Sequence, residues 1–174
     1  GGTTVEGGLL RLAVGDDRLS AIGAITTSGG VLDLGGNAQT TLGTITFAGG
    51  LVQNGTLTGS GTAFVARAGT VSAVLAGTQG LVKTGVDVMT LSALNTYTGG
   101  TTINAGTVRF GANNTLDDTG FVVVATGGAL DVATYSDTVG LVQLTGGAIS
   151  GTTGVLTGSS YDLQAGTVSA ILGG

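Results

Sequence analysis

The stretch "TTINAGTVRF", residues 101–110, contains the unit that decides the fold of this chain. Apolar Ile103 stands before the glycine, and Val108 and Phe110 stand after it, each beside a polar neighbour. Such alternation with period two predicts short strands that have one buried and one exposed face. Gly106 predicts a corner at which the backbone needs a positive φ or has no room for a Cβ atom. The unit is therefore a strand, a glycine corner and a second strand.

The same unit recurs about every 20 residues along the whole chain of 174 residues. Its corners are the glycines at positions 8, 30, 50, 69, 106, 128, 147 and 166, and Asp87 fills a ninth position. Two residues after each corner stands an apolar residue, and the residue that follows it is polar. The nine apolar residues are Leu10, Leu32, Val52, Val71, Met89, Val108, Leu130, Ile149 and Val168. A repeat this regular predicts nine copies of one structural unit.

Stacking is the way in which units this short can bury an apolar face, because one unit alone has no core. The sequence therefore predicts an all-β, single-stranded parallel β-helix (a β-solenoid) of about nine coils of roughly 20 residues. Helices are not expected, since glycine interrupts every candidate segment. A β-sandwich is the main alternative, but it needs hairpins, and "QNGT" at 53–56 is the one hairpin-like turn.

A longer period is superimposed on the short one. "AGTVSAVLAG" at 68 recurs as "AGTVSAILGG" at 165, and Arg11 and Asp33 recur as Arg109 and Asp131 at an offset of 98 residues. We expect one solenoid segment over 1–174, in which a first supermodule covers about 1–98 and a partial second copy covers about 99–174.

The alternation also predicts which side chains lie inside the coils. It places Lys83 between inward Val82 and Thr84, so we expect an outward lysine whose ammonium group lies in water. A Ser-Lys dyad with Ser92 is a formal alternative. Tyr97 is expected to pack against its own coil. The aromatic residues on inward positions are Phe47, Phe64, Phe110 and Tyr161.

Composition excludes several classes of function. The chain has no His and no Cys, so it lacks the common general bases, thiol nucleophiles and transition-metal ligands. Its net charge of −5 leaves no basic patch for nucleic acid, and no apolar run is long enough to span a bilayer. We therefore predict a protein that is not an enzyme, has no cofactor, binds no nucleic acid and does not insert this segment in a membrane.

Carboxylates are the remaining candidates for chemistry. Paired carboxylates hydrolyse glycosides in other β-helices, and loop carboxylates bind calcium. The candidates are Asp16-Asp17, Asp117-Asp118, Asp33 and Asp131. Coil stacking at ~4.8 Å places Arg11 beside Asp33 and Arg109 beside Asp131, which favours exposed ion pairs over an active site.

"LSALNTYTGGTTINAGTVRFG", residues 91–111, resembles the passenger-associated transport repeat of bacterial autotransporters. Ala93 and Val108 depart mildly from the family pattern, and residues 1–12 are similar to its second half. The resemblance implies a right-handed β-helix passenger that a Gram-negative bacterium exports to its surface through an outer-membrane barrel. We interpret the motif as coil-shaping rather than ligand-binding; its residues are Asn95, Thr96, Tyr97, Thr98, Gly99, Gly100, Thr101, Thr102, Ile103 and Gly106.

Together these observations predict a non-enzymatic stalk or adhesin scaffold whose coils fold as the passenger is secreted. The alternatives are a module that binds a host-cell or carbohydrate ligand through loops 35–42, 111–119 and 133–139, and a polysaccharide-cleaving enzyme. The expected partners are neighbouring coils of a longer passenger and a ligand on a host or partner cell. End-to-end association of copies is a further expectation, because open strand edges pair readily.

Overall fold

A computed structural model describes residues 1–174 as eighteen β-strands without a helix. The strands are β1 (Thr3–Val5), β2 (Leu9–Arg11), β3 (Ile25–Asp33), β4 (Ala38–Thr41), β5 (Ile45–Gln53), β6 (Thr56–Gly59), β7 (Phe64–Val71), β8 (Val74–Gly77), β9 (Leu81–Lys83), β10 (Val88–Leu91), β11 (Thr96–Tyr97), β12 (Thr101–Ile103), β13 (Gly106–Phe110), β14 (Val122–Val124), β15 (Gly128–Asp131), β16 (Asp137–Ser150), β17 (Val155–Val168) and β18 (Ile171–Gly173). The predicted all-β class is confirmed.

Every strand pairing is parallel and joins one coil to the next. Ile25 pairs with Ile45, Asp33 pairs with Gln53, and Ala38 pairs with Thr56 on a third face. Coils 1 to 9 begin at residues 3, 25, 45, 64, 81, 101, 122, 142 and 161. The prediction of a β-solenoid with about nine coils is confirmed. The sandwich alternative is wrong, since "QNGT" turns the chain from β5 into the parallel strand β6 of another sheet.

Each coil has three faces separated by corners. In coil 2 the first two faces are the halves of β3, which bends at Gly29-Gly30, and the third face is β4. At the corner of coil 6, Gly106 has a φ of +65°, and an added Cβ would collide with the carbonyl oxygen of Gly85. Glycine is therefore needed there both for backbone conformation and for the close approach of the neighbouring coil.

A continuous apolar core of 31 buried residues runs through the coils. Its aromatic centre stacks Phe47 on Phe64 at 6.1 Å, and Tyr97 meets Phe64 edge-on at 5.9 Å between ring centroids. Phe110 is also buried, and Tyr161 is half-buried against the core. These positions agree with the inward alternation.

Lys83 is the main departure from the predicted alternation. The structure pairs Leu81, not Val82, with Phe64 and Thr101, so Lys83 is stacked between Ala66 and Ile103 inside the solenoid. A slip of one residue in register moves every side chain of a strand to its other face. Lys83 is fully buried, and the prediction of an outward, hydrated lysine is wrong. "Val-Lys-Thr" offers no contrast strong enough to identify the inward face.

Two other registers differ from the predicted alignment. In coil 7, Val122 and Val124 are inward and pair with Thr101 and Ile103. Counting five residues back from the corner Gly128, the spacing that places Ile45 and Phe64 inside in their own coils, would have placed Val123 there instead. Met89 pairs with Val108 as expected, but on its other side it pairs with Gly69 rather than Val71. Coils 4 and 5 are therefore offset by two residues on this face.

The third face is interrupted at two coils. Its regular part consists of β4, β6, β8 and β11 in coils 2 to 5, and it resumes in coil 7 at Asp137. Coil 1 and coil 6 instead cross this face with the irregular segments 12–24 and 111–121. These two segments lie about one supermodule apart in the sequence, and they carry most of the polar side-chain contacts described below.

Candidate functional site

Tyr97, the aromatic residue of the transport-repeat motif, is part of the core rather than of a binding surface. Its side chain is 1% exposed, and its hydroxyl lies 2.6 Å from Oγ1 of Thr101 at the start of the next coil. Burial raises the pKa of this phenol well above its usual range because the charged form would lose its hydration. Tyr97 pairs with Gly77 of coil 4, and its ring packs edge-on against Phe64 of the same coil. The residue therefore joins coils 5 and 6 from inside.

The glycine pair of the motif makes room for neighbouring residues. Gly100 has a φ of +72°, and an added Cβ would lie 2.7 Å from ring atoms of Phe121 in the next coil. At Gly99 a Cβ would collide with the backbone of Gly80 one coil earlier. Phe121 lies directly before β14, covers Gly100 and remains 40% exposed. The pair accordingly allows three coils to approach closely.

The side chain of Asn95, the first residue of the motif, forms hydrogen bonds to backbone groups of the coils on both sides, where coil 6 has no regular strand on the third face. Its Oδ1 accepts a hydrogen bond from the amide of Leu75 in coil 4 at 2.8 Å, and its Nδ2 donates to the carbonyl of Thr115 in coil 6 at 2.8 Å. Asn95 is buried, so both bonds are shielded from water. One amide side chain therefore holds three consecutive coils where the third-face sheet ends.

Coil 6 is held from its other side by Asp137, which the sequence pattern did not indicate as a site residue. Oδ2 of Asp137 in coil 7 accepts hydrogen bonds from the amides of Thr115 and Leu116 at 2.8 and 2.9 Å. The Oδ1 atom of the same carboxylate is buried without a partner. Burial raises the pKa of Asp137 to about 6, and the negative charge of Asp118 adds to the shift.

Gln39 holds coil 1 in the corresponding way. It stands 98 residues before Asp137 and is fully buried. Its Oε1 accepts from the amide of Leu19 at 2.8 Å, and its Nε2 donates to the carbonyl of Leu19 at 3.4 Å and to that of Thr40 at 3.0 Å. The signal in the sequence was a polar residue at an inward strand position, found at Gln39 and again 98 residues later at Asp137.

Three of the four carboxylates in the acidic pairs considered for catalysis or calcium accept hydrogen bonds within the chain; Asp118 is the exception. Oδ1 of Asp16 accepts from the amide of Ala38 at 2.8 Å, and Oδ1 of Asp17 accepts from the amide of Thr40 at 2.7 Å. Asp117 accepts from both the amide and the hydroxyl of Thr119 at 2.9 and 2.6 Å, and these bonds lower its pKa. No group of three or more acidic side chains is arranged to hold a metal ion.

The two stacked ion pairs differ in geometry. Nε of Arg109 lies 2.8 Å from Oδ2 of Asp131, whereas Nε of Arg11 lies 3.9 Å from Oδ2 of Asp33. The Asp33 carboxylate also accepts three hydrogen bonds: from the amide of Gly35 at 2.8 Å, and from the side chains of Asn54 and Gln53 at 3.2 and 3.4 Å. The Gly35 bond is the largest cause that lowers the pKa of Asp33, while the Arg11 charge contributes least.

Two surface clefts border the loops proposed for ligand binding. A cleft of about 370 Å³ lies beside Arg11, Val14 and Gly35. A second cleft of about 520 Å³ lies between coils 5 and 7, and its lining is mainly polar. That lining includes Leu94, Asn114, Asp117, Asp118, Thr119 and Thr138. Neither cleft has an aromatic residue in its lining, so neither offers a stacking platform for a sugar ring.

The fold and the motif together define the class of protein. Residues 81–110, which form coil 5 and the first two faces of coil 6, match the family model of the passenger-associated-transport-repeat. The prediction of an autotransporter passenger solenoid that carries this repeat is thereby confirmed.

A named relative points the same way. The chain is 38% identical over 74 residues to the adhesin BmaC autotransporter of Brucella suis biovar 1 (strain 1330). The matched region is 42% of this chain and 2% of the relative, so the chain corresponds to a small part of that protein's length. No solved structure matches the chain. The chain contains no helix that is long and apolar enough to cross a membrane.

Proposed function

We propose that the chain is a non-enzymatic stalk or scaffold segment of a passenger exported to the surface of a Gram-negative bacterium. The observation that carries the proposal is the use of the motif's side chains. Asn95 bonds coils 4 and 6, and the Tyr97 ring is buried against Phe64. A motif whose largest groups are consumed in stacking favours a structural role over a ligand site.

Secretion-coupled folding is the second part of the proposal. Each coil pairs with the coil before it and the coil after it, so its stability depends on nearest neighbours. A chain that emerges end first can therefore add one coil at a time without disulfides or cofactors. Folded coils are too wide to return through a narrow pore, which biases movement outward.

Surface display tests this role with a matched pair of asparagines. Asn95→Ala in the full passenger removes bonds to two coils, whereas Asn104→Ala changes an exposed residue whose side chain makes no hydrogen bond. We expect slower appearance of the Asn95→Ala passenger at the cell surface, measured by protease accessibility on intact cells. The Asn104→Ala passenger should match the unmodified one. Equal display of all three would contradict a role of the motif in export.

A second candidate is ligand binding through the loops, which the polar cleft beside loop 111–119 favours. The relative is named an adhesin, which supports an adhesive passenger as a whole. The structure places residues 137–139 of the predicted loop in β16, and Thr115 and Leu116 are buried, so the exchange is confined to residues 117–119 and 133–136. Replacement of these residues by Gly/Ser segments of equal length, followed by a cell-attachment assay, separates the two roles. Loss of attachment with normal display supports direct binding. Unchanged attachment supports a scaffold.

The enzymatic alternative is tested with the carboxylates. Asp117 and Asp118 line the polar cleft, while Asp33 and Asp131 lie on the stacked face. Screening the unmodified chain and the four Asp→Asn variants on polysaccharides should detect no cleavage. Turnover that disappears in one of these variants would overturn the non-enzymatic assignment.

A further inference from the structure

One column of inward residues on the third face changes from apolar to polar where the face is irregular. The column follows from the strand registers and from the side-chain bonds of the irregular coils. Its members from coil 2 to coil 9 are Gln39, Leu57, Leu75, Asn95, Thr115, Asp137, Leu156 and Leu172. The three longest polar members, Gln39, Asn95 and Asp137, bond backbone groups of an adjacent coil.

Asp137 differs from the other two because it is ionisable. Its Oδ2 holds the amides of Thr115 and Leu116, so this carboxyl group fastens the irregular segment of coil 6 to coil 7. Its Oδ1 is buried and makes no hydrogen bond of normal geometry. The amides of Leu116, Thr115 and Thr138 favour the charged form, but the loss of hydration on burial outweighs them. A buried carboxylate with one unpaired oxygen is poorly compensated for the water that it has lost.

No cation offsets this charge. The ionisable side chains whose charges interact with Asp137 are Asp118 of coil 6 and Tyr97 of coil 5, and its strand partner in coil 8 is the apolar Leu156. Neither salt bridge of the chain includes Asp137. Apart from backbone amides, the polar groups near Asp137 are therefore either neutral or negatively charged like Asp137 itself.

The first supermodule contains the neutral counterpart. Gln39 fastens coil 1 through the amide and the carbonyl of Leu19, and it carries no charge at any pH. A protonated Asp137 is likewise uncharged, and it also accepts a hydrogen bond from a backbone amide of the preceding coil. The chain thus carries the same fastening twice, once with an amide and once with a titratable acid.

We propose that Asp137 is a proton-operated latch on segment 111–120: the neutral carboxyl group holds the segment closed on coil 7, and ionisation loosens it. This inference goes beyond the proposed scaffold role and does not depend on it. Loosening would act on Asn114, Asp117 and Thr119, which line one side of the polar cleft. The latch would therefore set how open that cleft is in a pH-dependent way.

The sign follows from proton linkage. The pKa of Asp137 is about 6 in the closed structure and 3.8 for an ordinary aspartate. Because the pKa is raised in the closed state, protonation of Asp137 adds free energy that favours the closed segment. This contribution is complete below about pH 4 and is lost as the pH rises through about 6. Within this window the opening equilibrium constant should increase by up to about 10-fold per pH unit, and above it the constant should level off.

Amide hydrogen exchange measures this opening directly. The protection of Thr115 and Leu116, corrected for the intrinsic effect of pH on exchange, should fall between pH 4 and 6.5 in the unmodified chain. The amide of Leu75, which the neutral Asn95 holds, is a control within the same molecule and should show no such trend. Equal pH trends at Leu75 and Leu116, or none at either, would overturn the latch without any variant.

Three variants sharpen the test. Asp137→Asn should retain protection of Leu116 and remove its pH dependence. Gln39→Glu should create a pH dependence at Leu19 where none exists in the unmodified chain. Asp118→Asn should shift the midpoint at Leu116 to lower pH, because it removes the neighbouring negative charge. If the pH dependence at Leu116 persists unchanged in Asp137→Asn, another group causes it and the proposal is wrong.

Discussion

The hydroxyl of Tyr97 lies 2.6 Å from Oγ1 of Thr101, and this contact joins the end of coil 5 to the start of coil 6 inside the core. Both residues are 1% exposed, so neither oxygen can bond to water in place of its partner. The pair shows how the transport-repeat motif links two coils, and it leads to the first prediction.

Tyr97→Phe should destabilise the chain by about 1–3 kcal/mol, because the Thr101 hydroxyl is left buried without its partner. Tyr97→Ala should cost about 3–5 kcal/mol, since it also leaves a cavity beside Phe64. Tyr135→Phe is the matched control, because the Tyr135 hydroxyl makes no hydrogen bond within the chain. Urea unfolding measures all three. A Tyr97→Phe chain as stable as Tyr135→Phe would contradict the structural role of this contact.

Lys83 leads to a prediction about alkaline pH. Its Nζ donates to the carbonyls of Ala105 and Gly85, and burial lowers the pKa of its ammonium group. A lowered pKa means that the unfolded chain binds more protons, so stability should rise as the pH approaches 10.5. Lys83→Met should abolish this rise, whereas Arg67→Met, at an exposed position, should retain it. Chemical denaturation at several alkaline pH values provides the measurement.

At neutral pH, Lys83→Met should change the free energy of unfolding by less than about 1.5 kcal/mol. The loss of two hydrogen bonds is offset by removal of a buried charge, and the volume is retained. Lys83→Ala should cost about 2–4 kcal/mol because it adds a cavity. If the alkaline rise in stability persists in Lys83→Met, another group is responsible for it.

Removal of the two ion pairs should lower the stability of the chain by different amounts. Arg109→Ala is expected to cost less than about 1 kcal/mol, as for other exposed pairs, and the cost should shrink in 1 M salt. Arg11→Ala should leave the urea midpoint almost unchanged, because Arg11 lies 3.9 Å from its partner. Asp33→Ala should lower the midpoint more than Arg11→Ala does, since Asp33 also accepts from Gly35, Gln53 and Asn54. Equal effects of the last two variants would show that the ion pair dominates at this position.

The inward face leads to a prediction about export. Leu130 is fully buried, whereas its neighbour Ala129 is half-exposed and pairs with uncharged Thr107 and Ala148. Leu130→Asp should destabilise the chain by more than about 4 kcal/mol, because it buries an unpaired charge. In the full passenger it should therefore block surface display, while Ala129→Asp should not. Normal display of Leu130→Asp would show that export does not require stacking of coil 7.

Much of the fold was predictable because its information is local. The alternation around Gly106 recurs in every coil, and it identified Val108, Leu130 and Ile149 as core residues. Strand periodicity needs only a few consecutive residues, and glycine at a corner has a direct steric reason. The motif at residues 91–111 likewise identified the class of passenger from contiguous residues.

The errors arose where local contrast was weak. In "LVKTG" and "FVVVA" either set of alternate residues could face inward, and the choice depends on which coil lies above and below. Pairing of Leu81 with Phe64 and Thr101 made that choice, and it buried Lys83. A register is a property of two strands, so it cannot be derived from either one alone.

The sequence by itself determined the strands, the glycine corners, the repeat length and the class of passenger, because each of these depends on residues adjacent in the chain. Tertiary structure alone decided the burial of Lys83 and the bridging roles of Gln39, Asn95 and Asp137. The physical reason is that these side chains bond backbone groups about 20 residues away, on another coil. Such partners become neighbours only when the coils are stacked in register.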